Sequence, residues 1–290
     1  MMSKLMRILL AIVSRSLFTA HGVLLVWRVV EEKKNSLYWM LLIGLILVYV
    51  DMAVTLTITE KGEWKWFSPT VFLYLSSTIP SVFLLELDFL EDRALVRNST
   101  VNQTAVAEDM IFNEPSQWLE ALEQTMMLVL VIGRWLMPKG EMNRDQLTQL
   151  LLIYISLGAD ILDILQLIKE PAVETNRNVV IVGLSLYGWA LLQFTLVLTQ
   201  TNSSQSQKEN DFPDLQDAPA VDESDGSPCC TNEVWSLITA VGMQDGPFLV
   251  FRLYLAIKEG IINELMIFFI CKNILTVTIE IYRIVVVHTK

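Results

Sequence analysis

Residues 38–58 read YWMLLIGLILVYVDMAVTLTI, a run in which Asp51 is the one charge. A helix rises about 1.5 Å per residue, so a run of this length crosses a hydrocarbon core about 30 Å thick. It is apolar on every side and offers no face to water, which sets it apart from the striped helix of a soluble domain.

Outward from it, seven further stretches have the same character: 8–29, 67–87, 118–138, 147–168, 179–199, 234–257 and 262–287. The sequence therefore predicts an all-α integral membrane protein, with 1–290 forming a single transmembrane domain, a polytopic bundle of about eight helices. Composition agrees: 53% of the residues are apolar, 18% are charged and mean hydropathy is +0.46, which excludes a soluble globular fold. The net charge of −11 comes without any basic cluster, which excludes nucleic acid as a partner. Three cysteines supply no disulfide framework. Lys4 and Arg7 precede the first span as in a signal peptide, but Arg15 interrupts the apolar run, so an uncleaved first helix is expected.

Two long connections carry the excess charge. Residues 88–114 hold six acids against Arg93 and Arg97, a net of −4, and residues 201–233 hold eight acids against Lys208, a net of −7. The segment 200–233 is rich in Ser, Asp, Asn, Gln and Pro and reads as a disordered acidic loop. Within the first connection, Asn98-Ser99-Thr100 and Asn102-Gln103-Thr104 are adjacent glycosylation acceptors. They predict that loop 88–117 is luminal or extracellular. Three spans precede it, so both termini and the 200–233 loop are expected to be cytoplasmic. Lys and Arg divide almost evenly between the two sides and do not decide the orientation. Cys229 and Cys230 then lie in the cytosol beside a span, where paired cysteines are candidates for palmitoylation or are simply free thiols. Cys271, inside the last span, reads as a packing residue. The sequons and the lack of a retention signal favour the secretory pathway and the plasma membrane.

Ionisable residues inside the spans carry the functional signal, because each is costly in hydrocarbon and turns toward a partner or a wet cavity. Arg15, His21 and Glu86 are among them. The candidate polar track comprises Asp51, Arg134, Asp160, Asp163, Asp245, Arg252, Glu280 and Arg283. Asp160 and Asp163 share a helix face, and Glu280 and Arg283 are spaced for an intrahelical pair. These groups either pair off as structural glue or line a path for ions, headgroups or small solutes. Pro247, after Gly242-Met243-Gln244-Asp245-Gly246, predicts a kink or break in the seventh span. Pro80 predicts another in the third, beside Ser76-Ser77-Thr78, whose hydroxyls can serve freed backbone groups. With His21 and His288 the only histidines, and no HExxH, CxxC, Walker loop or GxSxG, the reading contains no metal site, no cofactor, no catalytic residue and no enzyme.

Several motifs stand out along nearly the whole chain. They are Gly62-Glu63-Trp64-Lys65-Trp66-Phe67-Ser68-Pro69, running on through Phe72-Leu73-Tyr74-Leu75 to Ile79-Pro80-Ser81; Ile132-Gly133-Arg134-Trp135-Leu136; Arg144-Asp145-Gln146-Leu147; and Gln244-Asp245-Gly246-Pro247-Phe248-Leu249-Val250. Together they resemble the transmembrane protein 26 family over nearly the whole chain, and the resemblance implies a multi-pass membrane protein and brings no catalytic residues with it. Shorter pieces, namely Asp51 with the turn at 60–63, Trp66-Phe67 and Pro80, and Asp245-Gly246-Pro247 followed by Arg252-Leu253-Tyr254, are similar to the XK-related family, which includes phospholipid scramblases. Thr55 and Arg252 depart from that family's second acid and neutral Gln. This similarity implies a lipid path lined by intramembrane charge. Two functions are therefore carried forward: transport or phospholipid scrambling along a polar track, and a non-transporting scaffold or surface component meeting a membrane-protein partner through its loops. The lipid bilayer is the one partner common to both.

Overall fold

The computed structural model describes residues 4–57, 67–99, 108–137, 144–174, 176–196 and 241–288. These contain eight α-helices: α1 (Lys4–Lys33), α2 (Leu42–Thr57), α3 (Pro69–Ser99), α4 (Glu108–Leu136), α5 (Arg144–Ile168), α6 (Arg177–Leu191), α7 (Gly246–Tyr254) and α8 (Glu264–His288). They fall into two compact units, Met1–Thr195 and Leu196–Lys290.

In the first unit α1 is the central helix and packs on α2, α3 and α4, while α5 joins α4 to α6. Phe18, Leu25 and Val26 of α1 meet a core built from Leu45 and Val48 of α2, Tyr74, Val82 and Leu85 of α3, and Leu130 of α4. Across α5 and α6 the core continues through Tyr154, Ile161, Leu184 and Tyr187. Gly44 is what lets α2 lie against α3, since a β-carbon there would stand 2.8 Å from the Leu73 carbonyl oxygen. Close backbone approach at small residues is how helices associate where lipid removes the hydrophobic drive. Pro80 leaves α3 uninterrupted. The hydroxyls around it donate to carbonyls of the preceding turn: Ser76 to Leu73 (2.7 Å), Thr78 to Tyr74 (3.1 Å) and Ser81 to Ser77 (2.7 Å).

In the second unit the expected break is absent: Asp245 keeps helical dihedrals, and the winding changes type while the helical path continues. A π-helical turn, Val241–Asp245, leads into α7 with Pro247 in its first turn, where the missing N–H costs nothing. A second π-turn, Leu255–Glu259, ends at Gly260, whose φ of 68° is left-handed and suits glycine. Asn263 then caps α8, its side-chain oxygen accepting from the Met266 N–H at 2.7 Å.

Among the described residues, six helical segments are long and apolar enough to cross a membrane: Ile8–Lys33, Ser36–Thr55, Pro69–Arg93, Leu147–Ile168, Arg177–Thr195 and Glu264–Val286. The other two expected spans differ for separate reasons. Helix α4 has the length but carries Glu120, Glu123 and Arg134. The seventh starts outside the described residues and is built of short α and π pieces. Only 11% of the apolar stretch is buried in each of Ser36–Thr55 and Glu264–Val286, so these two are the helices most dressed for lipid. Cys271 is exposed on α8 rather than packed, because so little of that helix is covered.

Candidate functional site

The sequence-predicted residues divide between the units. Asp51, Arg134, Asp160 and Asp163 belong to the first, and Asp245, Arg252, Glu280 and Arg283 to the second. Asp51 stands on α2 and joins a buried chain of groups: Arg15 on α1 donates from Nη2 to Thr70 Oγ1 at 3.3 Å, and Thr70 donates to Asp51 Oδ2 at 2.6 Å. Arg15 and Thr70 have no exposed surface at all while Asp51 keeps part of its own, so one buried hydroxyl of α3 links an interior arginine to a partly exposed aspartate. One residue before Arg15, Ser14 donates to the Gly133 carbonyl at 3.0 Å and ties α1 to α4. Next to it Arg134 is buried, with Nη1 3.6 Å from Met137 Sδ. Asp160 and Asp163 are both buried on α5.

His21 connects three helices. Its Nε2 lies 2.9 Å from the Leu122 carbonyl on α4, and its Nδ1 lies 2.7 Å from the Tyr74 hydroxyl on α3. A carbonyl only accepts, so Nε2 carries the hydrogen and the Tyr74 hydroxyl is placed to donate to Nδ1.

Further along α3 lies a group that the span-by-span reading did not assemble. Lys169, just past the end of α5, sits 2.6 Å from Glu123 of α4 and 3.1 Å from Glu86 of α3. Both carboxylates are nearly inaccessible, while the lysine side chain keeps 20% of its surface. Burial alone would lower the Lys169 ammonium, but Glu123 and Glu86 outweigh it and hold the group above its ordinary value. A cavity of about 180 Å³ adjoins the cluster, lined by Glu86, Phe89, Arg93, Leu119, Glu120 and Lys169. Around this end of the unit, Lys33 pairs with Asp88, Arg93 with Glu174 (3.5 Å) and Arg177 with Glu91 (3.9 Å). The available signal was Glu123, an acid inside a predicted span. Its partner lies 46 residues away, beyond any helical spacing rule.

In the second unit Arg252 is fully buried against aromatic faces, its guanidinium carbon 4.7 Å from the Phe269 centroid and 5.6 Å from that of Phe248. Asp245 and Glu280 interact electrostatically, and Arg283 is half-buried one turn further along α8. Asn98 falls near the end of α3. Asn102, Cys229, Cys230 and the 200–233 loop lie outside the described residues.

Helices of this length and hydropathy, with charges turned inward and apolar surface turned out, define a multi-pass α-helical membrane protein. The family model described as Transmembrane protein 26 matches residues 5–283, and the chain belongs to that family. No solved structure matches it.

Proposed function

We propose that this protein moves a polar solute or a phospholipid headgroup across the bilayer along its buried polar groups, without covalent chemistry. One observation carries the reading. The Arg15–Thr70–Asp51 group and the Glu86–Lys169–Glu123 group both involve α3, and from Thr70 to Glu86 the helix rises about 24 Å. That is most of the thickness of a hydrocarbon core. The His21–Tyr74 pair lies between them in register along the helix. In this reading Arg134, Asp160 and Asp163 add to the track in the first unit, and Asp245, Arg252, Glu280 and Arg283 supply its counterpart in the second. Both termini are cytoplasmic, the 88–117 connection faces the lumen or exterior with Asn98 and Asn102 glycosylated, Cys229 and Cys230 are palmitoylated, and the protein resides in the plasma membrane.

The test is reconstitution of the purified protein into liposomes carrying a fluorescent phospholipid, with access of an external quencher as the readout. Probe equilibration in wild type, lost in folded Asp51→Asn, Asp160→Asn and Arg252→Gln variants, is the expected result. No flux above empty liposomes for the phospholipid or for entrapped small ions removes the proposal. A second reading, a non-transporting scaffold acting through its loops, is favoured by the direct pairing of Lys169 with two acids, as structural glue would have it. On that reading the same variants lose expression and thermal stability, and wild type shows no flux.

A further inference from the structure

We infer that Glu86 and Glu123 hold one exchangeable proton between them, taken from and returned to water through the cavity beside Lys169. The inference goes beyond the transport reading and does not require it. Glu86 comes from α3, Glu123 from α4 and Lys169 from just past the end of α5, with the ammonium 3.1 Å from the first acid and 2.6 Å from the second. Only 4% and 1% of the two acid side chains is exposed.

The charges of the group call for the proton. Two carboxylates against one ammonium leave one negative charge unanswered away from water, where that is costly. One proton makes the group neutral. The contact between the acids calls for it as well. Their carboxyl groups are within hydrogen-bonding reach of each other, and ionised carboxylates only accept, so the contact is repulsive until one of them carries a hydrogen. Glu123 Oε1, moreover, receives no hydrogen bond. With a proton on either acid, that acid donates to the other, and the other stays ionised against Lys169.

The groups packed around the three residues are engaged elsewhere and do not replace that proton. On α3, Asp88 pairs with Lys33 of α1, Glu91 with Arg177 of α6, and Arg93 with Glu174. On α4, Glu120 is partly exposed and accepts from Gln124 Nε2 at 3.1 Å. His21 of α1 is held by the Leu122 carbonyl and the Tyr74 hydroxyl. Tyr187 of α6 is fully buried and directs its hydroxyl at Met126 Sδ, 3.8 Å away.

Water reaches the pair from one side. Glu86 and Lys169 line the cavity of about 180 Å³, and Glu123 does not. That volume admits several waters. A proton therefore arrives at a Glu86 oxygen, is shared with Glu123, and leaves by the same way. A metal ion fits less well, since Lys169 already stands against both acids and the described residues gather no group of three or more His, Cys, Asp and Glu side chains fit to hold one.

The experiment follows the infrared carbonyl stretch of protonated carboxyl groups, on the full chain in maltoside micelles. It runs between about pH 6 and about pH 9, where ordinary carboxyl groups are already ionised and ordinary lysines still charged. Subtracting the spectrum of Glu123→Gln from that of wild type cancels the carboxyl groups elsewhere in the chain. The expected difference is one protonated carboxyl at the acidic end, lost toward the alkaline end. Glu86→Gln should give the same difference, since either variant leaves one acid for one ammonium. Lys169→Met should carry the loss of the band to higher pH, because the cation that favours ionisation is gone. A pair with a structural role alone shows no such band, and its absence overturns the inference. A band lost in Glu123→Gln but kept in Glu86→Gln overturns the sharing. Glutamine has the shape of a protonated glutamate, so the Glu123→Gln melting temperature should match that of wild type at the acidic end; a large loss there, or failure to fold, overturns the inference as well. The band without flux in liposomes would leave it standing and remove the transport reading, and flux without the band would do the reverse.

Discussion

The two buried charge groups of the first unit meet the cost of burial in different ways. In the Arg15–Thr70–Asp51 group one cation answers one anion, with a hydroxyl between them that accepts from the first and donates to the second. In the Glu86–Lys169–Glu123 group one cation answers two anions by direct contact, and a cavity lies alongside. Taking a charge out of water costs several kcal/mol per ion even after relaxation, so a balanced group can close completely. The first arrangement ties α1, α2 and α3 together through a hydroxyl; the second ties α3, α4 and the end of α5 together through one ammonium.

The strongest test of that contrast is to remove the single cation. Lys169→Met leaves two buried carboxylates facing each other, and loss of one partner of a buried pair costs about 3–5 kcal/mol. Its melting temperature should fall sharply, and adding Glu123→Gln should recover much of the loss, since the two residues share one interaction. Failure of the second change to rescue the first would mean that the pair is not coupled. Next in size is Thr70→Val, which keeps the shape of the side chain and removes the hydroxyl that separates Arg15 from Asp51. Leaving buried polar atoms unserved costs about 1–3 kcal/mol each. A drop in thermal stability smaller than that of Lys169→Met, with no recovery from Asp51→Asn alone, is expected. If Thr70→Val proved the more damaging, the balanced group would be the more demanding of the two.

Asp51 was legible from the sequence because a lone charge in an apolar run has to turn inward. Its connection to Arg15 through Thr70 was not, since those two are 55 residues apart and only the packing of three helices unites them. Glu123 and Lys169 were missed for a related reason: one sits in a predicted span among ordinary helix formers, and the other just beyond the end of a span, where a lysine is commonplace. Hydropathy locates the membrane rather than the helix. Helix α3 accordingly runs on to Ser99, well past the predicted end at 87, because residues 88–99 are polar yet lack any breaker. Gly242–Pro247 led to the expectation of a kink or break, whereas the chain passes there from a π-turn directly into α7 with its backbone helical throughout. Of the eight track residues Arg134, Asp160, Asp163 and Arg252 are buried while Asp51 is partly exposed, and the division of the eight between two units lay beyond what spacing can reveal.

A smaller effect is expected at the rim of the unbalanced group. Lys33 and Asp88 join the end of α1 to α3, but both side chains are partly exposed, at 28% and 16%. Exposed pairs are worth at most about 1 kcal/mol, so Lys33→Ala should shift the melting temperature only slightly and lose even that difference at high salt. A large, salt-independent loss would show that the unit is held together at its rim rather than around Lys169.

The smallest expected effect is that of alkali on the Lys169 pair. The ammonium is held above its ordinary value of 10.5 by Glu123 and Glu86. A group raised in this way lends its full stabilisation at every pH below the unfolded value and loses it only as pH climbs through the higher folded value. The stability difference between wild type and the Lys169→Met, Glu123→Gln double variant should therefore stay flat between about pH 9 and about 10 and shrink only beyond. The Arg15 group, whose guanidinium does not titrate in that range, should not contribute to the change. If the difference already shrank between about pH 9 and about 10, the lysine would be losing its proton early, and its burial would outweigh the two acids.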